Sequence, residues 1–336
     1  MQDSVKMTDI AMKLGISTVS VSNALSGKPG VSRELREKIL ETAREMGYHR
    51  KKTSTEKVKG FLVGILISQL YVGNRATFYW KLYHETSMAL KKANGSSIYE
   101  IVKTEDEAEK RLPLCVENGK CDALICLGKL DGEYLKFLKK HWKRPIVFLD
   151  FYERSLLVDS VISNGYYGTY FLTEFLIQKG HRKIAYVGSI TASPSIMDRY
   201  MGYCRALFEY DMEPKAIWRL EDRDITTGRL GISTLPEPMP TAFVCNSDLT
   251  ANILINKLQD NGYSVPRDVS VTGFDNYADN NSLVEVTTYD VDCGKMAQSA
   301  VACIQRQMDD QYQTPTLLVT DGHLVIKDSV AEPKEK

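Results

Sequence analysis

Residues 8–48, TDIAMKLGISTVSVSNALSGKPGVSRELREKILETAREMGY, contain three runs of helical periodicity separated by two short breaks. The first run starts at Thr8, a residue type that caps helix N-termini, and its apolar residues share one helical face: Ile10, Ala11 and Leu14. Gly15 follows, where a turn between two helices needs a residue that tolerates positive φ. This run therefore predicts a helix that ends in a tight turn.

The second run, TVSVSNAL, predicts a short helix capped by Ser17, with its apolar residues on the inner side: Val21, Ala24 and Leu25. Its outer side carries small polar side chains, which suit base edges and phosphates in a DNA major groove. A third predicted helix follows Ser32 and has apolar residues at helical spacing: Leu35, Ile39, Leu40, Ala43 and Met46. This order is that of a helix-turn-helix, although a generic three-helix packing module would show the same periodicity.

Charge is unevenly distributed along the chain. The whole sequence has 43 lysines and arginines against 43 aspartates and glutamates, so its formal net charge is zero. Its first 59 residues have twelve basic against seven acidic residues, and five of the basic ones lie between Arg50 and Lys59. A basic segment of this kind is typical of nucleic-acid contact, although charge alone would equally fit a solvated linker.

From Phe61 onward, short β-rich segments such as FLVGILIS, CDALICLG and PIVFLDF alternate with helical segments. The helices are predicted at 78–93, 105–119, 131–141, 169–179, from about 198, and at 249–262. This alternation predicts parallel sheets, and the strands are too many for one sheet. We therefore expect two similar sheet lobes, with a ligand cleft at the carboxyl ends of their strands.

The segments TDIAMKLGIS, VSNALSGKPGVS and ILETAREMGY are similar, nearly residue for residue, to the DNA-binding head of the lactose/galactose-repressor (LacI/GalR) family. The resemblance implies that Thr18 and Val19 occupy the two positions that vary most to set the operator sequence. Asn23 stands where many members carry an arginine. The predicted DNA-binding residues are Thr8, Ser17, Thr18, Val19, Ser20, Ser22, Asn23, Ser32, Arg50, Lys51 and Lys52.

After Gly47–Tyr48 the sequence departs from the family pattern. HRKKTSTEKVKG replaces the usual Pro-Asn pair and the hinge helix whose leucine wedges into the minor groove. Lys57 or Val58 stands near the place of that leucine. The three basic residues at 50–52 suit phosphate contacts, so we expect a basic hinge here.

The resemblance continues to the C-terminus through segments such as LIQKGHRKIAYVG, PTAFVCNSD and VPRDVSVTGFDN. It implies an N-terminal all-α helix-turn-helix head plus an α/β periplasmic-binding-protein-like core of two parallel-sheet lobes. The expected boundaries are 1–48 for the head, 49–60 for the hinge and 61–336 for the core, with an N-lobe of about 61–160 and 291–321 and a C-lobe of about 161–290 and 322–336.

Polar residues at strand ends map onto the effector pocket of the family. A guanidinium and carboxylates that converge on a cleft match the paired hydroxyls of a sugar. Two departures are visible, an insertion-like stretch around 71–77 and Ser163–Asn164 in place of an Asp-Asn pair. The predicted effector-binding residues are Ser68, Gln69, Phe78, Tyr79, Asp150, Arg199, Asn246, Ser247 and Asp275, and we expect at least one of the two aromatic residues in the pocket.

Several other classes of protein are disfavoured. The sequence contains no Walker-type, dinucleotide-binding, zinc-protease or nucleophile-elbow motif, so we expect no enzyme. Seven cysteines without metal-type spacing indicate free thiols, and neither a cofactor nor a metal is expected. With no apolar secretory segment at its start and no run long enough to span a bilayer, the protein is expected in the cytoplasm.

The leading hypothesis is a homodimeric transcriptional regulator, a repressor of a carbohydrate-related operon, that binds double-stranded operator DNA under the control of a small-molecule effector, a sugar or a derivative. One alternative is a sensor or solute-binding protein with a weakened DNA-binding head. A second alternative is regulation by a phosphorylated protein partner, as the resemblance to catabolite-control members allows.

Overall fold

The computed structural model describes residues 5–25, 29–46, 48, 60–72, 78–224, 227–276, 284–309 and 314–334. The chain divides into two compact units, Met1–Val58 and Lys59–Lys336, which we call the head and the core unit. None of the helices in the described ranges is long and apolar enough to cross a membrane. The predicted DNA contacts Arg50, Lys51 and Lys52 lie outside the described residues.

The described residues of the head form three helices, α1 (Met7–Leu14), α2 (Thr18–Leu25) and α3 (Arg33–Glu45). Each contributes a fully buried aliphatic side chain to a small apolar core: Ile10, Val21 and Ile39. Gly15 ends α1 in the left-handed region at φ 65°, as the turn required. Ser32 Oγ accepts the backbone N–H of Leu35 at 3.3 Å and so caps α3, as predicted.

Two expectations for the head are wrong in detail. The helix α1 begins at Met7, where the Asp9 carboxylate accepts the backbone N–H of Lys6 at 2.7 Å, so Thr8 lies inside the first turn and does not cap it. Leu40 was expected on the inner face of α3 but is exposed. Thr42 is buried there instead, because a helical turn of 3.6 residues puts positions three and four beyond Ile39, and not the next one, on its face.

The strands of the core unit in the described residues are β1 (Phe61–Ser68), β2 (Gly95–Val102), β3 (Ala123–Leu127), β4 (Ile146–Leu149), β5 (Asp159–Ser163), β6 (Ile184–Val187), β7 (Arg219–Leu220), β8 (Ala242–Cys245), β9 (Ser270–Thr272), β10 (Thr288–Asp290), β11 (Leu317–Thr320) and β12 (His323–Val325). Six of them form a parallel sheet in the order β2-β1-β3-β4-β5-β11. A second parallel sheet has the order β7-β6-β8-β9, and β10 pairs with β12 in an antiparallel ribbon. The expectation of two parallel sheets is confirmed.

The helices of the core unit in the described residues are α4 (Phe78–Lys92), α5 (Thr104–Glu109), α6 (Leu114–Glu117), α7 (Gly132–His141), α8 (Gly165–Gln178), α9 (Pro194–Glu209), α10 (Asp248–Asp260) and α11 (Cys293–Met308). The single helix predicted at 105–119 is wrong. Lys110 takes a left-handed conformation at φ 55°, and Pro113 cannot donate a helical hydrogen bond, so two short helices form in its place.

Two long helices begin earlier than the sequence predicted. The start of α8 is Gly165 instead of Thr169, because the Asn164 side chain accepts a backbone N–H of the first turn. The start of α9 is Pro194, where Ser193 supplies the cap and proline fits the first turn, whose N–H groups have no helical partner. Both helices consequently reach closer to the strand ends than expected.

Helices cover both faces of each sheet. On the six-stranded sheet, α4 and α11 pack on one face and α7 on the other. On the four-stranded sheet, α10 packs on one face, and α8 and α9 on the other. Burial on both faces explains why the central strands β3, β4, β6 and β8 are continuous apolar runs without alternation. It leaves the carboxyl ends of the strands as the place where polar side chains collect.

The helices α8 and α9 are in close contact at Gly202, where a Cβ atom would lie 1.9 Å from the carbonyl oxygen of Tyr166. We predict that Gly202→Ala lowers the free energy of unfolding by about 1–3 kcal/mol, because the helices must separate to admit the methyl group. Urea unfolding of the full chain measures it.

Gly231→Ala is the matched control, because a Cβ there meets no atom within 4 Å. It should change the stability by less than about 0.5 kcal/mol. Equal stability of the two variants would show that the close helix contact is not required.

Candidate functional site

The outer side of α2 is the candidate DNA-binding surface of the head. Thr18, Val19 and Ser22 are exposed there, whereas Val21 and Ala24 of the same helix are buried. Val19 is an apolar side chain with 66% of its surface exposed. A short helix with small exposed side chains allows close approach to base edges, and an exposed valine suits a thymine methyl group.

The other predicted head residues have mixed roles. Ser17 Oγ accepts the backbone N–H of Ser20 at 3.1 Å, so it caps α2 as predicted. The hydroxyls of Ser17 and Ser20 are also hydrogen-bonded, at 2.9 Å. Ser32 caps α3, Thr8 is exposed on the first turn of α1, and Asn23 is half-buried. Two of these hydroxyls, those of Ser17 and Ser32, thus stabilise helix starts, where phosphate oxygens also bind.

In the core unit, the buried guanidinium of Arg199 on α9 lies at the ends of strands β8 and β9. Its Nη2 donates to Asp275 Oδ1 at 3.3 Å, and its Nη1 donates to the carbonyl oxygen of Asn246. The guanidinium carbon lies 3.9 Å from the centre of the Phe274 ring. Three neighbours therefore hold the arginine in one orientation.

Asp150, directly after β4, lies close enough to Arg199 for the two charges to interact. The hydroxyl of Tyr79 on α4 donates to Asp150 Oδ2 at 3.0 Å. The other oxygen, Oδ1, is buried and has no hydrogen-bond partner among the described residues, and the same is true of Arg199 Nε. Asp150 and Asp275 have left-handed backbones at φ 69° and 98°, an uncommon conformation that is concentrated at functional sites.

Both cleft carboxyl groups have raised pKa values. Burial raises the pKa of Asp275 to about 7, although the nearby positive charge of Arg199 opposes the rise. Burial raises the pKa of Asp150 to about 6, again opposed by Arg199 and by the Tyr79 hydrogen bond. One arginine does not fully compensate two buried carboxylates, so a ligand that donates hydrogen bonds to them is favoured.

Tyr71 is a cleft residue that the sequence reasoning missed. Its ring stacks on that of Tyr79 at a centroid distance of 4.4 Å. Gly128, at φ 75°, makes the stack possible, because a Cβ there would lie 2.8 Å from both rings. The only signal was an aromatic residue at the start of an insertion-like stretch, too weak to separate from a loop.

Asp222 and Arg223, after β7, were also missed. The Arg223 guanidinium donates to both Asp222 oxygens, at 3.0 and 2.7 Å. Asp222 also accepts from the side chain of Asn246 at 2.8 Å. Burial and the negative charge of Asp150 raise the pKa of Tyr71, and the positive charge of Arg223 opposes this rise. Arg223 therefore lies close enough for its charge to act on the stacked tyrosines. Only the three-dimensional fold reveals this proximity.

Four of the predicted effector residues make contacts that stabilise the fold around the site. Ser68 is fully buried and donates to Glu107, while Gln69 donates to Thr104. Phe78 packs into the apolar core, and Ser247 caps α10. The structure therefore brings together five of the nine predicted residues: Tyr79, Asp150, Arg199, Asn246 and Asp275.

No cluster of metal-ligating side chains is present in the described part of the chain. The seven cysteines are free and buried. The cleft is thus built from carboxylates, guanidinium groups and aromatic rings.

Comparisons with known proteins agree with this architecture. Residues 6–51 match the family model for bacterial regulatory proteins of the lacI family, and residues 173–330 match that of the periplasmic binding protein-like domain. The HTH-type transcriptional repressor PurR of Vibrio campbellii is 30% identical over 285 residues, which cover 80% of this chain and 81% of that protein. The chain belongs to the LacI family. This LacI-family protein is a DNA-binding transcriptional regulator controlled by a small-molecule effector, not an enzyme.

Solved structures share its fold. The complex of the transcriptional regulator CelR with cellobiose has a TM-score of 0.67 and 18% identity, and the match covers 97% of this chain and 99% of that one. The lac repressor dimer bound to operator and the anti-inducer ONPF has a TM-score of 0.64 and 21% identity, covering 98% and 100%.

The raised pKa of Asp275 predicts a pH-dependent stability. Between its ordinary value of 3.8 and about 7, the folded state holds more protons than the unfolded state. Stability therefore falls as pH rises through this window, by up to ~1.4 kcal/mol per pH unit for one carboxyl group. We expect Asp275→Asn to lose part of this slope in urea unfolding.

Asp260→Asn, at the exposed end of α10, is the control and should keep the wild-type slope. Identical slopes in all three proteins would contradict the burial argument.

Proposed function

We propose that the protein represses transcription as a homodimer on operator DNA, and that a neutral, hydroxyl-rich molecule of the sugar class, bound in the core-unit cleft, controls it. The effector half rests on one observation, the buried, unpartnered pair of Asp150 Oδ1 and Arg199 Nε. One is an acceptor and the other a donor. A sugar hydroxyl, which both donates and accepts, satisfies either atom.

The charge of the cleft supports a neutral ligand. Asp150 and Asp275 share the field of one arginine, Arg199, while Asp222 and Arg223 compensate each other. A phosphate or carboxylate would add a negative charge beside two buried carboxyl groups, and like charges in a buried site repel strongly. Anionic sugar derivatives are therefore disfavoured.

The stacked rings of Tyr71 and Tyr79 supply the apolar part of the site. The Tyr79 hydroxyl lies beside Asp150, and the apolar face of a pyranose packs well on aromatic rings of this kind. Nucleobases also stack on aromatic rings, so they are the comparison ligands. The CelR relative was solved with cellobiose, and another family member, from Enterococcus faecium, with ribose.

A ligand that contacts both unpartnered atoms would join the two sheets. Asp150 follows a strand of the six-stranded sheet, whereas Arg199 packs against the four-stranded sheet. We propose that ligand binding closes the N-lobe of about 61–160 and 291–321 on the C-lobe of about 161–290 and 322–336. Coupling of this kind is typically worth about 1–3 kcal/mol.

The homodimer and the cytoplasmic location are part of the proposal. The strand β2 is an edge of the six-stranded sheet, and Ile98, Tyr99 and Ile101 are exposed on it. An exposed apolar edge favours pairing with another copy. The seven free, buried cysteines suit a reducing compartment that also contains the operator DNA.

The head proposal predicts that Val19→Glu weakens binding to DNA from upstream of the protein's own gene by at least about tenfold. A carboxylate on the exposed side of α2 would face the base edges and phosphates and be repelled by them. Fluorescence anisotropy of the labelled DNA at fixed salt measures the affinity.

Leu40→Glu is the control, since it adds the same charge on exposed α3 of the same head. It should bind within about twofold of wild type, given the small effect typical of a distant surface change. A wild-type chain that fails to bind this DNA even at low salt would support the sensor alternative.

The effector proposal predicts that Arg199→Lys raises the sugar concentration needed for half of the DNA response by at least about tenfold, which is about 1.4 kcal/mol. Lysine keeps the charge but cannot occupy the position of Nε or reproduce the guanidinium fork. The titration uses neutral mono- and disaccharides, their phosphate esters and free nucleobases.

Arg267→Lys, at an exposed arginine paired with Asp268, should respond as wild type. A phosphate ester that acts at a lower concentration than its neutral sugar would contradict the charge argument. A response to nucleobases alone would overturn the sugar class.

A further inference from the structure

A patch of exposed apolar side chains lies on the outer face of α8 and α9. Tyr167 and Phe171 on α8 are 42% and 43% exposed, and Met201 and Phe208 on α9 are 43% and 60% exposed. We call these four residues the α8–α9 patch. The outer face of a helix in a globular protein is usually polar, so a concentration of large apolar side chains marks an interaction surface.

A groove of about 550 Å³ runs along this patch. It is lined by Tyr166, Met201, Cys204, Arg205, Phe208 and Glu209. The two helices approach closely at Gly202, and their inner side chains pack into the apolar core. The outer side chains are therefore the ones that remain for a partner.

The polar groups of the groove are already ordered. Arg205 Nε donates to Glu209 Oε1 at 2.7 Å, and its guanidinium lies 5.3 Å from the ring centres of both Tyr167 and Tyr170. The Tyr170 hydroxyl donates to Glu209 Oε2 at 2.7 Å. Side chains ordered in advance lose little conformational entropy on association.

The charged side chains of this surface are complementary to those of the same surface on a second copy of the chain. Arg205 and Glu209 lie one turn apart on a single helix, flanked by Met201 and Phe208. If a second copy packs antiparallel across a two-fold axis near these residues, the arginine of each copy meets the glutamate of the other, and apolar side chains lie on both sides. Such an isologous contact requires a self-complementary patch.

We propose that the α8–α9 patch binds the same patch of a second copy and thereby joins two homodimers into a tetramer. The contact uses side chains other than those of the α2 surface, the effector site and the β2 edge, although α9 also carries Arg199. A tetramer could hold two operators at once and gain affinity from their proximity.

The test compares the mass in solution of the full-length wild type with that of Phe208→Glu, by sedimentation equilibrium over a range of concentrations. We expect the wild type to have twice the mass of Phe208→Glu, because the contact in this variant would bury two carboxylates among apolar side chains. Leu157→Glu is the matched control, at an apolar side chain 81% exposed in the loop between β4 and β5, and it should keep the wild-type mass.

A charge exchange tests the antiparallel arrangement itself. Arg205→Glu alone should lower the mass, because two glutamates then face two others. The double variant Arg205→Glu with Glu209→Arg should restore it, since the reversed pair is again self-complementary. Thermal unfolding and DNA binding, measured in parallel, identify any variant that has merely lost its fold.

A wild type with the same mass as Phe208→Glu at every concentration would overturn the proposal and assign the patch to a different partner. An equal loss of mass in Leu157→Glu would also overturn it. Loss of DNA binding together with an intact tetramer would contradict the proposed function and leave this inference standing.

Discussion

The buried guanidinium of Arg199 is the interaction on which the effector site depends. It links the end of β8, through the carbonyl of Asn246, to the end of β9, through Asp275, and stacks on Phe274. Transferring a charge from water to the protein interior costs free energy, so the buried arginine needs each of these partners. The same side chain keeps one buried donor, Nε, without a hydrogen-bond partner among the described residues. Arg199 thus both joins the strand ends and offers a hydrogen-bond donor for a ligand.

The head and the core unit were predictable to different degrees. In the head, capping residues and helical spacing predicted three helices. Only two details differ in the structure, the start of α1 and the exposure of Leu40. Local hydrogen bonds explain this success, because caps and turns involve residues only a few positions apart. In the core unit, helix starts were predicted less well, since Asn164 and Ser193 cap from positions that look like loop sequence.

The candidate site shows the same division. Asp150 and Asp275 were predicted because they follow apolar strands, whose carboxyl ends gather at one place in any parallel sheet. Arg199, which lies on α9, was predicted from the family resemblance. Ser68, at the end of β1, was placed in the pocket for the same reason as the two aspartates, and Phe78 was placed there from the family resemblance. Their contacts with Glu107 and with the apolar core, however, depend on neighbours distant in the chain. Tyr71 and Arg223 were missed because no local pattern distinguishes them from loop residues.

The sequence by itself determined the family, the two kinds of unit and the strand-end positions of the charged groups. These depend on periodicity, caps and ordered motifs, which are local properties of a chain. Only the tertiary structure decided which polar atoms lack a partner, which carboxyl groups have raised pKa values and where aromatic side chains form a surface. Burial and pairing depend on residues brought together by folding, and the distance between them along the chain carries no signal of that contact.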